Sequence, residues 1–256
     1  MVSPAQQLQT AKNLYKLVYL GVFAIIIFVF LEPTYHRLFD GNWQRGNFPY
    51  VWTFSLDLHA VLGYSFLSLF LAQLFLGYRL TKNPGSKPAH RILGRCLLYA
   101  VIPVFAVFSA WLIYERSTTI PREQAVIFRQ YIEMAFVVLS ELLLFFVAFS
   151  IRAGWAIRRG DVLTHIDSIL MAFMMAAGIA IIRMWYFLFW TFSGAAPFSI
   201  IGMFFVTMAT ILILLILVFS LVGRLRENVK ALSLLAVVTV LIAVLGAPYY
   251  EFLDVT

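Results

Sequence analysis

Polar and apolar positions along this chain do not alternate with the period of a strand, nor do they split into the two faces of a surface helix. They come in blocks. Cutting the sequence at its charged residues leaves uncharged runs at 17–31, 58–78, 96–114 and 231–250, with a further run at 130–151 broken only by Glu133 and Glu141. Each is close to the roughly 20 apolar residues that one helical bilayer crossing needs. Between Asp167 and Arg224 the only charge is Arg183, a stretch too long for one helix, and Ser193-Gly194-Ala195-Ala196-Pro197 supplies a turn that divides it in two. The pattern therefore predicts an all-α integral membrane bundle of about seven spans within a single domain over residues 1–256. The spans are expected at about 14–31, 56–79, 90–114, 127–151, 164–191, 198–223 and 231–249.

Composition supports the same class. Of 256 residues, 62% are hydrophobic and 12% charged, with a mean hydropathy of +0.91. A soluble fold needs more polar surface than that, typically about a quarter charged residues. The net charge of +7 could suggest nucleic acid, but the basic residues lie in short segments between apolar runs and form no continuous stripe, so no nucleic-acid partner is expected. Their distribution instead sets orientation. Thirteen of the 19 Lys and Arg residues fall on one side, among them Lys12, Arg79, Lys87, Arg91, Arg95, Arg152, Arg158, Arg224 and Lys230; five fall on the other, and Arg183 lies within a span. The positive-inside rule then places the N-terminus in the cytoplasm and the C-terminus outside. Residues 32–36 after the first run offer no small-residue cleavage site, so that run is expected to be a retained helix. The outer stretch 32–57, with Tyr35, His36, Trp43, Tyr50 and Trp52, suits the headgroup layer. The single cysteine, Cys96, permits no internal disulfide and reads as a small core residue.

Ionisable residues at membrane depth carry the strongest functional signal, because each is costly to bury and normally faces a partner inside the bundle. On the outer half these are Asp57 and His59 at the start of the second span, Glu133 in the fourth and Arg183 near the end of the fifth. Glu133 and Arg183 reach similar depths on antiparallel helices and are candidates for an ion pair. Glu141 lies about 12 Å deeper than Glu133 at the helical rise, where no basic residue matches it. It should stay protonated, as a hydrogen-bond donor to a neighbouring helix or as a proton-relay station.

The inner half holds His90 and Arg91 where the third span begins, and His165 and Asp167 where the fifth begins. Those spans run in the same direction, so the two histidines could meet at one depth and act as axial ligands of a b-type haem. Both His59 and His90 are followed four residues later by glycine, Gly63 and Gly94. Such a gap suits a porphyrin or a close helix contact. No GxSxG elbow, HExxH pair, phosphate-cradling glycine loop or Cys/His metal spacing occurs, so no catalytic residue is assigned. Met171, Met174, Met175 and Met184 read as packing.

These motifs also carry a resemblance. Leu58-His59-Ala60-Val61-Leu62-Gly63 with Gln73, followed by His90-Arg91-Ile92-Leu93-Gly94-Arg95, resembles the bacterial multi-pass family known as domain of unknown function 2306. His165 and Ile182-Arg183 match the two ends of that family's fifth-span motif, while Ile169-Leu170-Met171 replace its inner Trp-Met and Arg positions. The resemblance covers about residues 55–185. It implies a multi-pass fold in a bacterial inner membrane and a set of polar positions, with no settled activity. A looser similarity exists to transmembrane b-type cytochromes, which usually carry two histidine pairs where this chain could complete one.

Three readings stay open. One is an accessory or structural subunit among other integral membrane subunits or copies of itself. Another is a haem b electron-transfer protein with His90 and His165 as ligands and a quinone-type or cytochrome electron partner. The last is a small transporter with Glu133, Glu141, Arg183 and His59 along a polar pathway; it would be supported by broken helices, and none is expected from the sequence. Membrane lipids are partners in every case.

Overall fold

The structure is a computed structural model and describes residues 4–35, 54–80, 84–119, 125–193 and 200–251. All regular structure among them is helical. In chain order the helices are α1 (Pro4–Tyr35), α2 (Phe54–Arg79), α3 (Lys87–Cys96), α4 (Ile102–Thr119), α5 (Ala125–Arg158), α6 (Val162–Ala176), α7 (Gly178–Ser193), α8 (Ile200–Leu221) and α9 (Leu225–Glu251). Among the described residues five segments are long and apolar enough to cross a membrane: Leu8–Val29, Val61–Arg79, Lys87–Leu112, Leu139–Arg158 and Phe204–Leu221. The bent pair α6 and α7 makes a sixth if it is counted as one span.

The exterior confirms the membrane character that the helix lengths imply. Leu17, Phe28, Val107, Ile151 and Leu221 are all more than half exposed, on four different helices. In water such a surface would aggregate; against lipid tails it is the ordinary solvent-facing side. The protein is an integral membrane protein.

At the centre lies α6. Leu170 to Met175 are all buried, because this helix is apolar around its whole circumference. Phe173 is the hub, with the rings of Tyr19 and Phe23 from α1 and Phe70 from α2 at 5.0–5.1 Å. Met171, Met174 and Met175 are buried in the same core, and Met184 packs on its edge.

Two interruptions shape the spans. In the third, a π-helical turn at Leu97–Val101 joins α3 to α4, and the Ile102 N–H bonds back to the Leu97 carbonyl. Pro103 follows, has no N–H to give, and breaks the regular ladder at this level. In the fifth, α6 and α7 meet at Ala177 with a bend of 47°. The sequence offers no proline there, and the expectation of unbroken helices is corrected at this point. A tertiary contact sits at the bend: a Cβ on Gly178 would lie 2.7 Å and 2.8 Å from the two methyl carbons of Leu142 on α5. The ladder nonetheless runs through the bend, with Ala177 N–H bonded to Phe173 O and Ile181 N–H to Ala177 O.

The α5–α6 and α8–α9 turns share one design. Gly160 and Gly223 have φ of +76° and +69°, the left-handed conformation glycine adopts without steric cost. The following N–H groups of Asp161 and Arg224 bond back to Ala156 O and Phe219 O, closing each helix in a Schellman motif. Asp161 then caps α6, its carboxylate accepting from the Thr164 N–H. Hydrogen bonding from Thr164, by its side chain and its N–H, holds the Asp161 carboxyl below its ordinary value.

Candidate functional site

The two Schellman turns place a buried ionic knot at the same end of the bundle. Asp167 on α6 has no solvent exposure and accepts hydrogen bonds from three side chains. The Tyr15 hydroxyl on α1 donates to Oδ1 at 2.6 Å. Arg224 Nε donates to Oδ2 at 3.0 Å, and Asn228 Nδ2 from the first turn of α9 donates to the same oxygen at 2.8 Å. Arg152 on α5 reaches the knot through Asn228, its guanidinium donating to the side-chain Oδ1 at 3.1 Å. One carboxylate thus ties α1, α5, α6 and the α8–α9 turn together. Sequence reading singled out Asp167 but missed Tyr15, Asn228 and both arginines. Arg152 and Arg224, expected as loop charges that report orientation, lie instead within a helix and in a buried turn, drawn in by the Asp167 charge. Exposed basic residues at the same end include Arg158, Arg159, Arg226 and Lys230.

A second cluster joins α2, α3 and α6. The Gln73 amide nitrogen lies 3.4 Å from His90 Nε2, and His165 Nδ1 lies 2.9 Å from the Ala153 carbonyl oxygen, so that nitrogen is the one carrying a proton. The two imidazoles are close enough for charge on one to be felt by the other. Both His90 Nδ1 and Gln73 Oε1 are buried with no hydrogen-bond partner. Whichever way the amide is turned, the pair leaves one donor and one acceptor over.

Haem can be tested against this geometry. Of the two glycine gaps expected to suit a porphyrin, that at Gly94 holds a side chain of this chain, Gln73, 2.8 Å from where a Cβ would be; His90 itself packs against Gly77, its Cε1 3.2 Å from a Cβ position there. His90 is turned into α2 and engaged there by Gln73, while His165 is anchored to α5. A macrocycle between them does not fit these side-chain positions, and no step is derived through one. Gly63 has open space around its Cβ position.

Glu141 is buried on α5, beside the Leu142 that seats Gly178. Its Oε1 lies 2.8 Å from the Thr239 hydroxyl on α9, and that hydroxyl is also 2.9 Å from the Leu235 carbonyl oxygen. A hydroxyl carries one proton. Both contacts are satisfied at once when Glu141 is the protonated partner and donates to Thr239, which in turn donates to Leu235.

The remaining positions are less informative. Arg91 is exposed on α3, and Arg183 is exposed on α7. The side chains of Asp57, His59 and Glu133 lie outside the described residues, as does the expected pairing of Glu133 with Arg183. Cys96, expected in the core, is exposed, because its face of α3 continues the outward side marked by Ile92 and Tyr99. Among the described residues no group of three or more His, Cys, Asp or Glu side chains is placed to hold a metal ion.

The chain matches no family model, no curated protein and no solved structure.

Proposed function

We propose that this protein is an accessory or structural subunit of a membrane complex, inserted as seven spans with its N-terminus in the cytoplasm. The observation that carries the reading is Asp167: the most costly buried charge of the described bundle has both oxygens occupied by partners from its own chain, in a knot that fixes helices relative to one another. Groups used in chemistry are usually left with a free valence or an approach for a ligand; this one has neither. Buried polar groups of this kind hold geometry. The seventh span rests on the 27-residue length of α9 and the uncharged run 231–250, and the orientation on the exposed basic residues gathered at one end. The His90-Arg91-Ile92-Leu93-Gly94-Arg95 element supports placing the chain with the domain of unknown function 2306 family, and through it in a bacterial inner membrane.

The test is the state of the protein extracted from its native membrane in mild detergent. A stoichiometric assembly with other integral membrane proteins, retained through two orthogonal separations, is the expected result. A monodisperse particle containing this chain alone overturns the accessory role.

One observation favours a second reading. The unpartnered donor and acceptor on His90 and Gln73 suit a small neutral ligand able both to accept and to donate a hydrogen bond, as the head group of a quinol does. Quinone extracted in stoichiometric amount from the purified protein, and lost in Gln73→Leu, would favour a redox partner at this site over a purely structural role.

A further inference from the structure

The start of the third span carries three cations in a row. Lys87, Arg91 and Arg95 recur every four residues, so they share one face of α3 along about 12 Å of its axis. All three are exposed, and among the described residues none makes a hydrogen bond or ion pair. Like charges at this spacing repel one another, which leaves the row without internal compensation. With Gly85, Pro88 and Ile92 they line an open groove of about 520 Å³.

Two further features give the groove direction. The next position in the series is Tyr99, 56% exposed, and Arg158 from the end of α5 donates to its hydroxyl with the guanidinium 5.7 Å from the ring. Ile92, 69% exposed, stands beside the row. Polar contacts therefore lie along the stripe, and apolar contacts lie beside it and towards the membrane interior. This is the layout of a phospholipid at an interface, with a phosphate against forked guanidinium donors and acyl chain against Ile92 and Tyr99. Lys87–Leu112 is of membrane-spanning length and apolar character, and Arg95 lies about two turns into it. A cation at that level is costly unless its head reaches an anion at the headgroup layer.

We infer that the Lys87–Arg91–Arg95 face of α3 is a binding site for the phosphate headgroup of an anionic phospholipid in the leaflet at this end of the bundle. A zwitterionic lipid brings its own cation to the row and gains little from it. A lipid of net negative charge neutralises the row.

The experiment uses the full chain in mild detergent. Bound lipid is read by native mass spectrometry during titration with dioleoylphosphatidylglycerol, with dioleoylphosphatidylcholine, and with phosphatidylglycerol against added inorganic phosphate. The expected result is preferential retention of phosphatidylglycerol. Affinity for it should fall roughly fivefold for each charge removed in Arg91→Gln with Arg95→Gln and in the separate variant Lys87→Gln. Arg226→Gln with Lys230→Gln, which removes two exposed cations elsewhere at the same end, should leave it unchanged. Equal retention of the two lipids overturns the inference, as does wild-type affinity in the α3 variants or an equal loss in the Arg226 and Lys230 control. Complete displacement by millimolar inorganic phosphate also overturns it, in favour of a free-anion site.

Discussion

Leu142 on α5 is seated in the notch left by the missing side chain of Gly178 on α7, both of its methyl carbons closer to that notch than any Cβ could tolerate. This one contact sits where the fifth span bends by 47°, at the level of the buried carboxyl of Glu141. Glycine is needed here for close approach and not for an unusual backbone angle.

Two substitutions at glycine should therefore behave differently. Gly178→Ala gains helix propensity, about 1 kcal/mol, but overpacking against a side chain in a filled core costs about 1–3 kcal/mol. Leu142 is 4% exposed and has nowhere to go. The net effect should be destabilising, by up to about 2 kcal/mol in thermal unfolding in detergent, with strong non-additivity when combined with Leu142→Ala. Gly94→Ala meets only the end of the flexible Gln73 side chain, which can swing aside. It should change stability by less than about 1 kcal/mol, while shifting the His90 ring nitrogen resonances as Gln73→Ala does. A large loss of stability in Gly94→Ala would show that Gln73 is held more rigidly than its contacts imply.

The Asp167 knot predicts an ordering of damage. Asp167→Asn leaves Arg224 buried without its counter-charge and should cost about 3–5 kcal/mol. Tyr15→Phe removes one hydrogen bond to a charged acceptor and should cost about 1.5–3 kcal/mol. Arg152→Gln acts on the knot only through Asn228 and should be the mildest of the three. Unfolding midpoints of the three variants in one detergent measure the order; Tyr15→Phe as damaging as Asp167→Asn would mean that the charge is not what the knot depends on.

Apolar runs ended by charges were legible because lipid imposes them: each crossing must be long, apolar and helical. Asp167 was legible for the same reason, as a carboxyl inside an apolar run. Its partners were not. Arg152 and Arg224 stand next to loops in sequence and are indistinguishable there from solvated loop cations, and only the turn at Gly223 brings Arg224 back onto Asp167. Tyr15 reads as one aromatic among many in the first span. The bend at Ala177 has no proline to announce it, and Leu142, which packs against Gly178 there, lies 35 positions before Ala177 in the chain. Cys96 was misplaced because a small residue in an apolar run carries no mark of the face it occupies.

Glu141 offers a test of protonation without a titration. If it is the donor to Thr239, a glutamine can donate in its place, and Glu141→Gln should change stability by less than about 1 kcal/mol. Thr239→Val, which removes the acceptor and leaves the buried carboxyl unpaired, should cost about 1–3 kcal/mol. The C=O stretching region of the infrared spectrum provides the direct measurement: a protonated carboxyl band above the amide bands, present in the wild type and absent from Glu141→Gln, is the expected outcome. A spectrum without that band means the side chain is ionised.

Asp161 gives a prediction with a pH sign. Its carboxylate caps α6 by accepting from the Thr164 N–H, so Asp161→Ala should cost about 1 kcal/mol at neutral pH. The carboxyl ionises more readily in the folded chain than its ordinary value of 3.8 because hydrogen bonds from the Thr164 side chain and N–H favour the charged form. A group depressed in this way binds fewer protons folded than unfolded in the range between its two values. Its charge-dependent contribution is therefore complete above the unfolded value and is lost as pH falls through the folded one. The gap between wild type and Asp161→Ala should be constant from neutral pH down to about 5. It should then narrow with further acidification. Unfolding midpoints of the two proteins across that range decide the matter, and a gap that widened in acid would mean that Asp161 is bound more tightly as the neutral acid than as the cap.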